Sequence, residues 1–412
     1  MNYHIFYDNN KYYLYLTEYK QAFLISKTEY EEIESDFSNN DVLHKYVDKA
    51  SVYGNRKRKL ETLKRFELYL CVSNDCNARC IYCYAGFGSY GKKRGIMSEK
   101  IAYESIDFFF AHVPEDALAI ITFFGGEPLL AKRIIQNSCE YIAKCYSNRK
   151  KEFHITTNGT LLTHDIIDYF AKYNFRVVVS IDGGSKIHNL QRPLISNADC
   201  FEMATRNISS LFERQIPVAA RGTYVVGNYE LRDAYKDLID IGFKKINIVP
   251  DFYSIKTDDK LRVLIDQLDG LYEYMVSYVA ENQCFPFSSF AKRIRQLFGP
   301  VNSVNNICGA GESIFAIDLY GDIYTCQRFS GKSSSKIGNI KQKEMLSAFI
   351  SEKMDCSNCW NNNTCSHRCQ HVQNQEDEMI QRYYCMYSKK MTEICIRLCT
   401  VLTREQLLLI VR

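Results

Sequence analysis

The sequence predicts an α/β protein built around a parallel sheet, and three observations carry that prediction. Between residues 66 and 249 six short apolar runs alternate with five helix-length segments, the alternation expected of a parallel sheet covered by helices. Polar or glycine-containing stretches follow the first four runs, at the strand ends where α/β folds place their chemistry. A chain of 412 residues, 46% hydrophobic, is long enough for two or three domains with large cores.

Taken in order, the chain opens with alternation. Tyr3–Tyr7 and Tyr12–Leu16 flank the turn Asp8-Asn9-Asn10, a β-hairpin pattern, and Ala22–Ile25 is a third apolar run. Ser26 and Thr28 are both candidates to cap the helix that follows through Tyr30, Ile33 and Phe37. Residues 41–46 suggest a second helix, so residues 1–50 read as a small module of strands and helices. Residues 51–65, with the basic run Asn55-Arg-Lys-Arg-Lys59, read as a solvated linker. The six apolar runs are expected as strands at 66–71, 118–124, 153–156, 177–181, 218–226 and 245–249. Helices are expected between them at 98–112, 130–147, 164–173, 200–214 and 230–241. Periodicity alone leaves open both an open doubly wound sheet and part of a (β/α)8 barrel.

Charge and cysteine usage narrow the class. Lys plus Arg total 52 against 48 for Asp plus Glu, so no global electrostatic case for nucleic acid arises. No run of about 18 apolar residues appears, and the N-terminus lacks the basic-then-apolar layout of a signal segment, so a cytoplasmic protein with no membrane partner is expected. In that compartment 17 cysteines read as metal ligands before disulfides. Ten fall into two spaced sets. The other seven (Cys71, Cys139, Cys145, Cys200, Cys284, Cys395 and Cys399) are scattered, and buried apolar packing is the expectation for them.

The first set is Cys76-x3-Cys80-x2-Cys83, with Tyr82 before its third cysteine. Closed zinc sites and ordinary iron–sulfur clusters take four protein ligands; this group stops at three. The spacing resembles that of the radical S-adenosylmethionine (radical SAM) enzymes. The resemblance implies a partial (β/α)6 barrel and a [4Fe-4S] cluster whose open iron binds SAM and splits it to methionine and a 5′-deoxyadenosyl radical. It also implies SAM contacts from Tyr82 and from the segment Gly125-Gly126-Glu127 after the second strand. Further contacts are implied from Asn158 after the third, and from Ser180 and Asp182 after the fourth, in a pattern that continues to His188 and Arg192. Arg192, and Arg221 on the fifth strand, are candidates for the SAM carboxylate, with a structural role the alternative for each.

The second set is Cys308, Cys326, then Cys356-x2-Cys359-x5-Cys365-x3-Cys369, then Cys385. A zinc site at Cys356, Cys359, Cys365 and Cys369 would leave the other three unexplained. All seven spacings are similar to the SPASM extension found on many radical SAM enzymes. The resemblance implies two auxiliary [4Fe-4S] clusters, three clusters in all. Cys308, Cys326 and Cys369 would serve one, with Cys284 or an open iron as its fourth position. Cys356, Cys359, Cys365 and Cys385 would serve the other.

The implied domains are a peptide-recognition module at 1–50, the linker, a radical SAM core at 66–285, a SPASM domain at 286–390 and a C-terminal helix at 391–412. Enzymes of this kind mostly modify peptides or proteins. The resemblance implies a maturase of a ribosomally made precursor peptide, leader plus core, that installs a cross-link. A thioether is the first expectation and a carbon–carbon or ether link the second, with flavodoxin or ferredoxin as electron donor. Anaerobic sulfatase maturases, the alternative, carry an aspartate base after the second SPASM cysteine; here Gln327 stands there, and glutamine is no general base. A non-catalytic iron–sulfur scaffold is a third reading, opposed by the intact first set. No catalytic side chain is assigned from sequence.

Overall fold

The computed structural model describes residues 3–35, 41–54, 64–298 and 308–342, together with 356–411 apart from 357, 363, 366–368 and 374–376. The chain divides into two compact units. One comprises Met1–Glu61, Ile255–Asn305 and Glu352–Arg412, the other Thr62–Ser254 and Asn306–Ser351.

The first unit begins with an antiparallel sheet of β1 (Tyr3–Asp8), β2 (Lys11–Leu16) and β3 (Gln21–Ile25), followed by α1 (Lys27–Ser35) and α2 (Asp41–Gly54). The choice of cap falls to Ser26. Its Oγ accepts from Glu29 N (3.2 Å) while the Glu29 carboxylate accepts from Ser26 N (2.8 Å), a reciprocal capping box. Glu29 also receives Lys45 Nζ (2.7 Å) and Tyr46 Oη (3.2 Å), which ties α1 to α2. Alternation then puts Leu14, Leu16 and Ile25 on one sheet face, against Ile33, Leu43, Tyr46 and Ala50. The basic run at 55–59 lies outside the described residues.

The second unit is the expected parallel sheet. β4 (Arg65–Ser73), β5 (Leu118–Gly125), β6 (Lys151–Thr157), β7 (Arg176–Ser180), β8 (Val218–Tyr224) and β9 (Ile246–Pro250) pair parallel in chain order, the arrangement of a partial barrel. The connections carry α3 (Glu99–His112), α4 (Lys132–Cys145), α5 (His164–Lys172), α6 (Ser185–Gln191), α7 (Cys200–Thr205), α8 (Ile208–Glu213) and α9 (Leu231–Asp240). Two expectations need correction. The helix expected at 200–214 is broken into α7 and α8, and α6 precedes it unforeseen, because seven residues are too few to display a periodic face. Residues 308–342, assigned from sequence to the C-terminal extension, continue this sheet: β10 (Ile314–Ile317) pairs parallel with β4, and β11 (Asp322–Tyr324) and β12 (Lys336–Asn339) extend it antiparallel. The short apolar strand β10 covers what would otherwise be the bare edge of β4.

The remainder of the first unit is helical: α10 (Asp258–Asn282), α11 (Ser288–Phe298), α12 (Gln370–Gln373), α13 (Glu378–Val401) and α14 (Arg404–Val411). Helix α10 falls within the expected core at 66–285 but groups with this unit, since it packs along α13. Helix α13 starts well before residue 391, capped by Asp377, and carries Cys385. The N-terminal sheet turns its second face to these helices. Tyr15 Oη donates to Leu297 O (3.4 Å), His4 stacks on Trp360 (3.7 Å between centroids) and bonds to Glu393 (2.9 Å). Arg397, only 1% exposed, reaches Asp8 (2.7 Å) and Asp269 (2.8 Å) and lies 3.8 Å over the Tyr272 ring. The sheet is therefore covered on both faces. Its edge strands β1 and β3 have no further strand partner among the described residues. No helix among those residues is long and apolar enough to cross a membrane.

Arg397 makes a first prediction. Replacing it by Met leaves Asp8 and Asp269 to Lys390 alone, and breaking a buried pair costs about 3 kcal/mol. Urea unfolding should register that loss; a change under about 1 kcal/mol would show the cluster to be energetically idle.

Candidate functional site

The chain leaves β4 at Ser73 and enters the first cysteine loop. Ser73 O accepts from Gly126 N (2.8 Å) and Asp75 O from Glu127 N (2.8 Å), so the loop is laced to the end of β5. Gly125 has φ 141°, and a Cβ at Gly126 would strike the Asp75 carbonyl, so both positions need glycine for backbone to approach backbone. Within the loop, Ala78 N points at Cys76 Sγ (3.4 Å) and Phe87 N at Cys83 Sγ (3.3 Å). Burial pushes the Cys76 thiol up to about 12, with Glu127, Cys80 and Cys83 adding to the rise, and burial likewise raises Cys80. Three grouped thiols with amide donors aimed at two of them suit an iron–sulfur cluster: bound metal would deprotonate them, and the amides would stabilise the sulfur charge.

Two buried carboxylates organise the strand ends around this loop. Glu127, wholly buried, accepts from Leu129 N (3.0 Å), Thr157 Oγ1 (2.7 Å) and Asn158 N (2.7 Å), which clamps β5 to β6. Burial raises it to about 7 against those three donors. The carboxylate is engaged by protein, so this segment offers a ligand its glycine backbone. Asn158 is similarly engaged: Nδ2 donates to Asn77 Oδ1 (2.8 Å) and lies 4.0 Å from Cys76 Sγ, while Oδ1 accepts from Thr160 N and Oγ1 (3.0 and 2.7 Å).

Asp182, also wholly buried, receives Arg192 through Nε and Nη2 (2.9 Å each), Gln191 Nε2 (2.9 Å), Thr223 N (2.8 Å) and the Tyr82 hydroxyl. Burial alone would raise its pKa, but the Arg192 guanidinium overrides that and holds it below the usual carboxylate range. The guanidinium also lies 5.3 Å from the Tyr82 ring centre. His188 Nδ1 accepts from Asp182 N (3.4 Å), so its Nε2–H faces Cys200 Sγ (3.3 Å); burial lowers it to about 4, and the ring is neutral.

The structure separates the two arginines that the sequence left undecided. Arg192 is committed to Asp182. Arg221 stands beside Ser180 in the β7–β8 register and makes no ion pair among the described residues; burial, then the nearby Arg328, lowers its pKa. Gln191, Asn77 and Thr160 escaped the sequence reading. Gln191 adjoins Arg192 and Asn77 lies inside the cysteine loop, but polar side chains of this kind announce nothing until their partners are known.

Of the second cysteine set, Cys356, Cys359, Cys365 and Cys385 belong to the first unit. Burial, then the proximity of Cys365, Cys356 and Cys359, pushes Cys385 up to about 11. Cys369 belongs to the same unit, whereas Cys308 and Cys326 belong to the other, where Cys308 is exposed and Cys326 Sγ donates to Gln327 Oε1 (3.0 Å). Cys284 lies in the first unit, half-buried. Of the scattered cysteines, Cys71, Cys139, Cys200 and Cys395 are buried and Cys399 partly so. Cys145 departs from that expectation: it is exposed in the last turn of α4.

Residues 70–241 match the radical SAM superfamily. This segment is a radical SAM domain. SAM and a [4Fe-4S] cluster are its cofactors, with Cys76, Cys80 and Cys83 in the matched segment. The chain is 29% identical over 284 residues to an uncharacterized protein of Methanocaldococcus jannaschii, covering 68% of this chain and 90% of that one. It is 25% identical over 277 residues to the radical SAM cyclopropyl synthase TigE of Paramaledivibacter caminithermalis, covering 57% of this chain and 55% of that one. It is 24% identical over 367 residues to a cysteine-type anaerobic sulfatase-maturating enzyme of Clostridium perfringens, covering 78% and 94%. In fold it is similar to anSMEcpe with bound AdoMet, with a TM-score of 0.70, 20% identity and coverage of 84% and 97%. It is also similar to Streptococcus suis SuiB bound to the precursor peptide SuiA, with a TM-score of 0.51, 15% identity and coverage of 91% and 96%.

Glu127 yields the second prediction. Because its folded pKa is raised, it contributes stability that is full below about pH 4.5 and lost as pH rises through about 7. Glu127→Gln should abolish that fall. It should also cost about 1–3 kcal/mol, since a carboxamide turns a donor toward one of three donors. Unfolding free energies of both proteins at pH 5 and 8 check the sign; parallel changes would refute it.

Proposed function

We propose that this enzyme is a maturase of a ribosomally made peptide that uses two auxiliary [4Fe-4S] clusters in a SPASM domain. The observation that carries the reading is that Cys356, Cys359, Cys365 and Cys385, at the SPASM spacing, fall in one unit, with the other three near enough to raise the Cys385 thiol. Zinc at Cys356, Cys359, Cys365 and Cys369 would pass over Cys385, the thiol those neighbours surround. The likeness to SuiB, whose structure holds the precursor peptide SuiA, supports a peptide substrate.

When bound, SAM and the cluster at Cys76, Cys80 and Cys83 supply the 5′-deoxyadenosyl radical. The chain's own residues bind and orient. The Gly125–Gly126 backbone is suited to the SAM amino group, and Ser180 with Arg221, which has no ion pair among the described residues, to its carboxylate. Asp182 fixes Tyr82 and Arg192 at the rim of the cysteine loop. The remaining SPASM cysteines imply the other auxiliary cluster, with an electron donor such as flavodoxin or ferredoxin feeding the enzyme. The product would be a cross-link, a thioether first and a carbon–carbon or ether link next. With both faces of the N-terminal sheet covered, a leader peptide would add to an edge strand, β1 or β3.

Similarity to the sulfatase-maturating enzyme favours a second reading, formylglycine formation. Gln327 opposes it: a carboxamide that accepts from Cys326 takes up no proton at neutral pH.

Anaerobically reconstituted protein should hold about twelve irons, and alanine at Cys76, Cys80 and Cys83 should remove about four of them with all SAM cleavage. About four irons in the wild type would overturn the auxiliary clusters. A precursor peptide encoded beside the gene should lose two hydrogens, by mass spectrometry, on incubation with enzyme, SAM and reductant. Formylglycine in a sulfatase peptide would instead promote the second reading, and Gln327→Asp alone should not produce it.

A further inference from the structure

The helical unit buries a cation that no described residue neutralises. Arg293, on α11, is 7% exposed, and its Nη1 donates to Ser388 O (3.1 Å), Ser388 Oγ (3.1 Å) and Thr392 Oγ1 (2.8 Å) on α13. All three acceptors are neutral, and among the described residues no carboxylate pairs with it. A guanidinium held out of water without a counter-charge is unfavourable by several kcal/mol, roughly, so an anion is expected close by.

The hydrogen-bond network leads to one. Ser388 Oγ accepts from Arg293 Nη1 and also from Asn361 Nδ2 (3.2 Å). The Asn361 amide is oriented by its other end, where Oδ1 accepts from Thr392 Oγ1 (2.8 Å) and Thr364 Oγ1 (2.5 Å). Ser388 Oγ lies 2.9 Å from Cys365 Sγ, and once Cys365 is a metal-bound thiolate without a proton the hydroxyl is the donor of that pair. The result is a one-way chain of donors from Arg293 through Ser388 to the sulfur of Cys365. Such chains polarise, and each donor strengthens the next.

We propose that Arg293 and Ser388 tune the auxiliary cluster at Cys356, Cys359, Cys365 and Cys385, raising its reduction potential through Cys365. This rests on the auxiliary-cluster reading above. A cluster held by four thiolates is anionic, and it gains one further negative charge, with no bond broken, when it takes an electron from a one-electron donor. A buried positive charge and a hydrogen bond to sulfur both favour the more negative, reduced state. Arg293 acts through Cys365 and touches no substrate, so it is a tuning residue.

The test is redox titration, by electron paramagnetic resonance, of full-length reconstituted protein carrying alanine at Cys76, Cys80 and Cys83, so that only auxiliary clusters report. Arg293→Met and Ser388→Ala should each lower the midpoint of one cluster. For Arg293→Met the reduced-to-oxidised ratio at a fixed potential should fall about tenfold, equivalent to about 59 mV for a one-electron couple. Arg293→Lys should recover part of the shift. If Arg293→Met loses iron, Ser388→Ala decides, since it deletes only the donor to sulfur. Normal iron content with an unmoved midpoint would reduce Arg293 to a clamp between α11 and α13 and overturn the proposal. A parent protein with no iron beyond the first cluster would overturn the auxiliary-cluster reading itself, and this proposal with it.

Discussion

The carboxylate of Asp182 is the constraint on which the rim of the barrel depends. It sits at the end of β7, fully buried, and collects donors from the cysteine loop, from the end of α6 and from the backbone of β8. Each of those segments is a loop or strand terminus that would otherwise be free to drift. A buried carboxylate is tolerable only if it is paired and saturated with donors, and that same requirement forces Tyr82, Gln191, Arg192 and Thr223 into one geometry. Arg192 is consumed in this way, whereas Arg221 makes no ion pair among the described residues. Glu127 performs the parallel task one strand earlier, joining β5 to β6 beneath the cysteine loop.

The cysteines gain their meaning from burial. Isolated in a low-dielectric interior, a thiol stays protonated, as the raised pKa values of Cys76 and Cys385 record. Packing such thiols beside one another gives a protein little on its own, and the amide hydrogens aimed at Cys76 and Cys83 would meet only weak acceptors. With a cluster bound at the first cysteine loop, the same features would turn favourable: the thiols would ionise and the amides would meet sulfur charge. Metal loading and stability of these loops are thus coupled through electrostatics.

The N-terminal sheet obeys a packing constraint. Three short strands cannot stand alone in water, and here helices α1 and α2 cover one face while Tyr13, Tyr15 and Phe6 bury the other. Asp8, in the first hairpin, completes the charge balance of Arg397 on α13, almost at the other end of the chain. Residues that read as a detachable module are structurally bound to the C-terminal helices. The edges of β1 and β3 are left without a strand partner among the described residues.

Local patterns determined much of this protein from sequence alone. Alternating apolar runs gave β1 to β9 to within a few residues, because burial of one or both sheet faces writes itself into the order of side chains. The spacing of Cys76, Cys80 and Cys83 was equally legible, since ligands of one cluster lie within a single loop. What stayed hidden was long-range. Nothing local says that β10 joins the edge of β4, that α10 leaves the barrel for α13, or that Ser26 rather than Thr28 caps α1. The roles of Arg192 and Arg221 were undecided for the same reason, and Arg293 and Arg397 drew no notice at all. A cation's role depends on which acceptors the fold carries to it, and only tertiary structure sets residues far apart in the chain at hydrogen-bond distance.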